Sequence, residues 1–437
     1  MKFLSFLLPI LLCVSCISDS FEHDSNARLE FSTDSILIGP VLSGQLSPTS
    51  RFVLYNRSRN GVTVDRINLT DDPENIFRLR VDGQTGDSYE NIEIRGEDSL
   101  FLFIDVKLPS IGGNRRCNIQ LTNGTSTTLL PVKASVVDVV EFPATSVSAD
   151  ETWNGNFHIT GNVTVEAGAT LELAPATRLF FAPGVSLEVF GTLRTEGEPG
   201  QIVEFTGDRL DRLAPEIPYE LISGQWAGII LHPGSQLELS YASLRNPSTA
   251  ISADNAVVNL YNCQVRNSSG NLVYLTNSSL DAVGCEFAEA AENVLCLENS
   301  NADIRQSTVA NFYLLSFPVD PMLVIENSSL DVSNSIIYGL APILPGNQLE
   351  TFSPVYFRRC LFQLDGNDDD NFLDCVWGTD PMLGTVREDY LFDYRPLPQS
   401  PAVGNSDPKL MPANWSLDFY GTPTTSMTLG AYSMEYR

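Results

Sequence analysis

Carboxylates recur at matching positions in the second half of the chain. Four segments align without a gap: 251–265, 273–287, 295–309 and 323–337. Their ninth place is polar each time: Asn259, Asp281, Asp303 and Asp331. A Leu-Glu-Leu pattern nearer the N-terminus extends this acidic column by three glutamates: Glu172, Glu188 and Glu238. Adjacent strands lie about 4.8 Å apart, and like charges at that spacing repel by about 0.9 kcal/mol even in bulk water. The column is either a solvated face or a stripe that binds a divalent cation or a sugar.

Two tyrosines add to this face. Tyr261 and Tyr274 alternate with inward positions of the repeat, so both are expected to point outward, where their rings could stack on sugars. The candidate binding face therefore has seven members: Glu238, Asn259, Tyr261, Tyr274, Asp281, Asp303 and Asp331.

A catalytic apparatus is not evident. No lysine lies between Lys133 and Lys409, and the arginines fall in different columns of the alignment. The N-T-D, D-D, G-H-G and R-I-K runs of a polygalacturonase-type glycosidase, which places two carboxylates about the scissile bond, are missing. The three histidines stand in unrelated positions: His23, His158 and His232. No catalytic residue is assigned, and we expect the protein not to be an enzyme.

One acidic loop resembles a calcium site in part. Asp365, Asn367 and Asp369 have the alternate spacing of the first ligands in a calcium loop. The sixth place holds Asp370 where glycine is expected, and no glutamate stands at the twelfth. The loop is either a weak calcium site or a solvated loop, and no other cofactor is expected.

The four aligned segments predict a repeating fold. They are offset by 22, 22 and 28 residues, with apolar side chains at the first, third, eighth, tenth and fifteenth places. Each repeat supplies several short strands joined by bends, which indicates one coil of a right-handed parallel β-helix. The fifth place is always asparagine, a residue that tolerates a left-handed bend. These residues predict a structural ladder at one corner: Asn255, Asn277, Asn299 and Asn327.

Composition limits the partners. The chain has 437 residues, 43% apolar residues and a formal net charge of −28. Such a charge repels polyanions, so nucleic acid is excluded as a partner. The apolar fraction is sufficient for large cores. Of the eight cysteines, two stand at the N-terminus and the other six lack zinc-site spacing, so we expect mostly free, buried thiols.

The N-terminus is typical of an exported protein. Lys2, an apolar stretch and Ser15-Cys16 have the layout of a bacterial signal peptide that resembles a lipoprotein lipobox. The resemblance implies a signal peptide over 1–15, a lipid anchor at Cys16 and a polar tether over 16–28. Cys13 departs from the usual leucine at that place. An ordinary secretory signal is the alternative.

Residues 29–140 show short alternating apolar runs without helical periodicity, which predicts a β-sandwich. Segments 29–35, 55–56, 77–83, 94–100 and 122–124 resemble an immunoglobulin-like domain that follows the signal peptide in many lipoproteins of the Bacteroidetes group. The runs GATLEL (168–173), PGVSLEV (183–189) and GTLRTEG (191–197) resemble the opening of bacterial β-helix proteins with a pectin-lyase-like fold. Segments after residue 379 resemble the terminal cap of such helices.

These observations predict an all-β chain. An N-terminal β-sandwich (29–140) precedes a right-handed parallel β-helix (141–378), and 379–437 form a final coil and a C-terminal cap that seals the helix. The expected function is that of a non-catalytic lipoprotein anchored in the outer membrane, whose surface binds a glycan or a protein. A β-helix polysaccharide lyase or glycosidase is the alternative from another class. An accessory subunit of an outer-membrane complex is the third.

Overall fold

The computed structural model describes residues 20–107, 112–214, 217–340 and 354–434. The chain divides into two compact units, one ending at Val136 and the other beginning at Val137. The all-β prediction is confirmed, and the helical elements in the described ranges are three short 3-10 turns: Tyr219–Leu221, Arg387–Asp389 and Thr424–Ser426. No helix in these ranges is long and apolar enough to span a bilayer. The predicted signal peptide and Cys16 lie outside the described residues.

The first unit is a sandwich of two sheets. One has six strands: Phe21–Glu22, Ile36–Leu42, Gly61–Thr70, Ser88–Ile94, Gly113–Asn123 and Ser126–Val137. The other has five: Leu29–Phe31, Ser50–Asn56, Phe77–Val81, Gln84–Gly86 and Ser99–Val106. Phe77–Val81 shows why the sheets pack, because its apolar residues are buried while Arg78 and Arg80 between them are only half-buried. This alternation is the one predicted from the sequence.

The tether is shorter than the predicted 16–28. Phe21–Glu22 pairs in parallel with Gly61 and Val62 of the sandwich. The side-chain amide of Asn123 donates to the Asp24 carbonyl at 2.7 Å. Gly61 leaves room for the Phe21 ring, which would lie 2.9 Å from a Cβ at that position. A polar segment can still add to an open sheet edge through its backbone, and polarity alone did not reveal this.

The second unit is a parallel β-helix with three sheets. Sheet 1 contains Val140–Phe142, Asn156–Ile159, Arg178–Phe181, Val203–Gly207, Ala242–Arg245, Gln264–Ser268, Glu286–Ala290, Thr308–Asn311, Ile336–Gly339 and Leu361–Phe362. Sheet 2 contains Thr145–Val147, Val163–Val165, Ser186–Val189, Gly228–Leu231, Ile251–Asp254, Val273–Thr276, Leu295–Glu298 and Leu323–Glu326. Sheet 3 contains Glu151–Trp153, Thr170–Leu173, Thr192–Thr195, Gln236–Ser240, Val257–Tyr261, Ser279–Val283, Asn301–Arg305, Ser329–Ser333, Val355–Arg358 and Phe372–Leu373. A small hairpin, Arg212–Ala214 with Ile217–Pro218, leaves the coils after sheet 1.

The strands of successive coils pair in the register that the alignment of the repeats predicted. Ile251 pairs with Val273, Val273 with Leu295, and Leu295 with Leu323. The longer third offset corresponds to the loop between Thr308–Asn311 and Leu323–Glu326, which leaves the coil without disturbing the pairing. Inward side chains of every coil then stack into one continuous core.

The corner between sheets 2 and 3 is left-handed, as predicted. Asn255, Asn277, Asn299 and Asn327 have φ between 48° and 51°. Their side chains are exposed, however, so they do not stack into a side-chain ladder. The ladder is formed instead at the position after each asparagine. There the backbone N–H of Ala256 donates to Ser278 Oγ at 3.0 Å, and the backbone N–H of Ser278 donates to Ser300 Oγ at 3.0 Å. Buried serines therefore satisfy the N–H groups that the corner leaves unpaired.

The C-terminal segment lies along the side of the helix rather than over its end. We call residues 379–434 the strap. Its apolar residues pack on the outer face of sheet 1, where the cluster includes Ala288, Ala310, Ile336, Tyr394 and Tyr432. Sheet 1 is consequently buried on both faces in its middle coils, and Glu286–Ala290 has no exposed residue. The repeats could not show this because the strap lacks their periodicity.

A second left-handed corner, between sheets 3 and 1, holds the strap. Asn262 has φ of 49°, and its side chain donates to the Leu417 carbonyl at 2.8 Å and accepts from the Trp415 indole at 2.8 Å. Asn334 exchanges two hydrogen bonds with the backbone of Asp407, at 2.9 and 2.8 Å. Gly284 stands between them in the stack, and a Cβ there would lie 2.4 Å from the Trp415 indole nitrogen. This corner therefore needs glycine both for its φ of 67° and for space.

Aromatic rings fill both ends of the helix core. In the first coils Phe142, Trp153 and Phe157 pack together, with centroids 4.8 to 5.3 Å apart. In the last described coil Trp377 stacks on Phe362 at 4.7 Å. The role of sealing the C-terminal end, which was expected of the strap, falls to residues of the last coil itself.

The corner asparagines predict a position-specific effect on stability. Asn277→Val places a β-branched residue in the left-handed region, and we expect a loss of about 1–2 kcal/mol. Ser279→Val, at an exposed strand position of the next sheet, should leave stability nearly unchanged because valine favours strands. Urea unfolding followed by tryptophan fluorescence reports on this unit alone, because all four tryptophans belong to it: Trp153, Trp226, Trp377 and Trp415. Equal midpoints for the two variants would contradict the prediction.

Candidate functional site

The candidate site is a row of polar side chains on the outer face of sheet 3. Strand pairing places Glu238 beside Asn259, Asn259 beside Asp281, Asp281 beside Asp303, and Asp303 beside Asp331. The row continues to Tyr356 at one end, and through Arg194 to Glu172 at the other. We call these residues the polar row. Because a parallel sheet keeps equivalent residues in line, the row is straight and its members are one strand apart.

Glu188 of the predicted acidic column and Tyr274 of the predicted binding face lie elsewhere. Glu188 is in sheet 2, beside Thr164 and Ile230, and its carboxylate accepts a hydrogen bond from His232 Nε2 at 2.6 Å. Tyr274 is also in sheet 2, and its hydroxyl donates to Glu298 at 2.9 Å. Both point outward as expected, but a period of two gives only the side of a sheet. It does not say which of three sheets a strand joins.

Arginines neutralise much of the predicted repulsion. Arg194 binds Glu238 at 2.7 Å, and Arg358 binds both oxygens of Asp331 at 2.7 Å. Arg305 contacts Asp281 and lies 3.4 Å from Asp303. Arg305 and Arg358 each follow the row position of their strand by two residues, so they form a parallel line on the same face. In the alignment Arg305 and Arg358 fell outside the acidic column, and the pairing of all three arginines with its carboxylates was missed.

Asp303 lies between two other carboxylates of the row, Asp281 and Asp331. Burial raises its pKa, Arg305 opposes the rise, and the charges of Asp331 and Asp281 on the adjacent strands add to it. The side chains of Asp281 and Asp303 are still 52% and 49% exposed, so both are accessible to a ligand. The row therefore combines accessible acceptors with guanidinium donors whose positions are fixed by ion pairs.

A shallow depression of about 320 Å³ interrupts the row. Glu238, Asn259, Tyr261 and Asp281 line it. Tyr261 is half-buried, and its hydroxyl donates to the Asn414 carbonyl of the strap at 3.0 Å. Its ring lies edge-on to Tyr241, with centroids 6.0 Å apart. Four of the seven residues predicted for the binding face thus meet in one concave place, with the tyrosine fixed in orientation.

The calcium candidate is not assembled as a metal site. The Asp369 carboxylate accepts hydrogen bonds from the backbone N–H groups of Asn371 at 2.7 Å and Phe372 at 3.0 Å, so it caps a turn. Asp365, Asn367 and Asp369 are all exposed. Throughout the described ranges, no three His, Cys, Asp or Glu side chains are grouped so as to hold a metal ion.

The six cysteines of the described chain are free thiols, as expected. Five are buried: Cys117, Cys263, Cys285, Cys296 and Cys360. Burial raises the pKa of the half-buried Cys375 to about 11, so this thiol is protonated at neutral pH as well. A protonated, enclosed thiol is a poor nucleophile. These residues therefore fill space in the coils.

A second polar cluster lies under the strap, and sequence reasoning missed it. Arg266 and Glu286, on adjacent strands of sheet 1, form an ion pair, and the Tyr432 hydroxyl donates to Glu286. The Tyr394 hydroxyl donates to Glu289, which is buried. Burial raises the pKa of Glu286, against the opposing effects of Arg266 and Tyr432. Burial also raises the pKa of Glu289 to about 8, so this carboxyl holds a proton at neutral pH.

Little in the amino-acid sequence indicated this buried polar cluster. Glu286 and Glu289 flank Phe287 and Ala288 in Glu286–Ala290, a strand with no other polar residue. Two carboxylates in such a strand are normally solvated. Only the long-range contact with tyrosines more than 100 positions later explains their burial.

No protein-family model matches the chain, and a search of curated proteins finds no match. Among solved structures, a family 123 glycoside hydrolase from Clostridium perfringens aligns at 10% identity and a TM-score of 0.18, over 24% of this chain and 25% of that one. A pectate lyase from Pectobacterium carotovorum aligns at 10% identity and a TM-score of 0.12, over 74% of this chain and 85% of that one. The chain thus spans a quarter of the hydrolase's length. Neither likeness is close enough to transfer an activity.

Glu289 predicts a dependence of stability on pH. Its pKa rises from 4.5 to about 8 on folding, so the folded chain keeps a proton that the unfolded chain releases. The stability contributed by this proton is complete below pH 4.5 and is lost as the pH rises through about 8, by at most about 1.4 kcal/mol per pH unit. Glu289→Gln keeps the shape of the side chain but cannot ionise. We therefore expect this variant to gain stability relative to the wild type as the pH rises through this window.

Urea midpoints from tryptophan fluorescence at a series of pH values measure this difference. Glu326→Gln serves as the control, because Glu326 is exposed on sheet 2 and its replacement should follow the wild-type curve. A constant difference between Glu289→Gln and the wild type across the window would contradict the prediction.

Proposed function

We propose that this protein is a non-catalytic, lipid-anchored binding protein of the bacterial outer membrane, and that its ligand is a glycan that lies along the polar row. The observation that carries the proposal is the depression lined by Glu238, Asn259, Tyr261 and Asp281 within a straight row of polar groups. Sugar hydroxyls both donate and accept hydrogen bonds. A rigid sheet already holds acceptors, amides and guanidinium donors in line. These groups therefore need no further ordering when such a ligand binds.

The charge distribution favours a neutral glycan. Glu238, Asp281 and Asp331 each bind an arginine, so the row has little excess of either sign near the depression. The net charge of the whole chain is −28, which repels polyanions at long range. A neutral polysaccharide is not repelled by this net charge, whereas a polyuronate is.

The ion pairs also argue against cleavage at the row. Glycoside hydrolysis needs one protonated carboxyl and one free carboxylate about the scissile bond. Glu238, Asp281 and Asp331 each already bind an arginine, so none of these three is free to act as the acid or the nucleophile. Binding is therefore the better proposal for this surface, and the lyase or glycosidase is its alternative.

Glycan binding is tested with the chain that starts at Asp19. We expect an array of neutral polysaccharides to give at least one specific ligand, and calorimetry to give an affinity at least about tenfold weaker for Asn259→Ala/Asp281→Ala, which removes two hydrogen-bonding groups. Glu326→Gln, a charge change on sheet 2, should bind like the wild type.

Three outcomes would contradict this proposal. Shortened oligosaccharides in the mixture would indicate cleavage. Binding only to polyuronates would contradict the charge argument. Silence on the array, together with a stoichiometric membrane protein that co-purifies with the native chain, would indicate an accessory subunit.

The lipid anchor is tested separately. If Cys16 carries acyl chains, cells fed an alkyne analogue of palmitate should label the protein, and the label should fractionate with membranes. Cys16→Ser should lose the label, whereas Cys13→Ser, in the removed signal, should keep it. Unlabelled wild-type protein in the soluble fraction would indicate an ordinary secretory signal.

A further inference from the structure

Three segments outside the coils meet beside sheet 1. They are residues 219–224, residues 312–316 and residues 387–392 of the strap. Together with sheet 1 they enclose a cavity of about 240 Å³. This cavity, which we call the strap pocket, shares no residue with the polar row, so the inference below is independent of the proposed function.

Specific contacts hold the walls of the strap pocket. The guanidinium of Arg387 donates to the carbonyls of Tyr313 at 3.0 Å and Leu314 at 3.1 Å. The hydroxyls of Ser223 and Tyr313 lie 2.7 Å apart and join the first two segments. The Gln225 amide donates to the Ile222 carbonyl at 2.7 Å. Stacked coils need none of these contacts, so the segments form a built enclosure rather than a gap between loops.

The floor of the pocket offers donors without adequate acceptors. Arg245 reaches Glu204 and Glu220 only at 3.8 Å each, and its Nε has no hydrogen-bond partner. Asn246 is 1% exposed, and its Oδ1 accepts from Asn267 at 3.0 Å, while its Nδ2 has no partner. Buried donors are nearly always satisfied. Two unsatisfied donors on adjacent residues in one cavity indicate a ligand with acceptor oxygens.

The other groups define the charge and body of that ligand. Arg266 already binds Glu286, so Arg245 is the cation available to a ligand. Glu220 also lines the cavity, and its carboxylate opposes a second negative charge on the ligand. Leu221, Leu314 and Phe392 supply apolar lining, which suits a carbon skeleton. The volume is below the roughly 300–1,000 Å³ of drug-sized sites, so the ligand is small.

We propose that the strap pocket binds a small organic monocarboxylate, with its carboxylate on Arg245 and Asn246 and its carbon skeleton against Leu221, Leu314 and Phe392. A planar carboxylate matches the planar guanidinium fork, as ion pairs of this kind commonly show. The ligand replaces the two long contacts of Arg245 with close ones and satisfies the amide of Asn246. The carboxylate of Glu220 disfavours doubly charged phosphate esters.

Matched pairs of probes test the charge requirement. Ligand-observed NMR with the chain that starts at Asp19 compares benzoate with benzamide and glucuronate with glucose. We expect at least one carboxylate to bind and its neutral counterpart not to bind. Equal binding of both members of each pair, or no binding of either carboxylate, would overturn the proposal.

Variants test the location. Arg245→Met keeps the apolar stem but removes the charge, and should weaken carboxylate binding at least about tenfold. Leu314→Trp leaves Arg245 in place but fills the cavity, and should abolish binding even if Arg245→Met proves unstable. Arg66→Met, an exposed arginine of the first unit, is the matched control and should bind like the wild type. Unchanged affinity in a folded Leu314→Trp variant would place the ligand elsewhere and overturn the proposal.

Discussion

In-register pairing between successive coils is the interaction on which the second unit depends. Whether a coil has 22 residues or, with a loop, 28, each side chain stands beside its equivalent in the next strand, as the chain of pairs from Ile251 to Leu323 shows. Any residue type retained at one place therefore becomes a line on the surface or in the core. The buried serine ladder, the polar row and the two left-handed corners are all lines of this kind. A loop inserted between sheets, such as 312–321, changes none of them, because the pairing resumes in register after it.

The repeats revealed the periodic part of this structure and little else. The alignment predicted the register of sheet 3 and the left-handed φ of Asn255 and its equivalents, because both depend on residues one coil apart. It misplaced Glu188 and Tyr274, because alternation along a strand is the same in sheets 2 and 3. The arginine partners were missed for another reason. Arg305 and Arg358 lie two residues beyond the row position, and only the pleat brings that place back to the same face.

The strap could not be located from periodicity at all. Its attachment uses residues that the repeat leaves variable: the corner series reads Asn262, Gly284, Gln306, Asn334 and Arg359. Each polar member of this series bonds the strap, and Gly284 makes room for it. Within the alignment, a column of such different residues suggests that the position is not constrained. In the structure the residues differ because each contacts a different part of the strap, which has no repeat of its own.

The strap also explains why two unrelated polar sites exist on one scaffold. A bare β-helix offers flat sheets, which bind extended ligands along rows but enclose nothing. By covering sheet 1, the strap adds the side of a cavity at residues 390–392 and, through the Asn414 carbonyl, fixes Tyr261 at the edge of the polar row. Its hold on sheet 1 rests on buried groups such as Arg266, Glu286 and Tyr432, whose desolvation is tolerable only because they satisfy one another. The same polar cluster thus stabilises the covering segment and sets the shape of both surfaces.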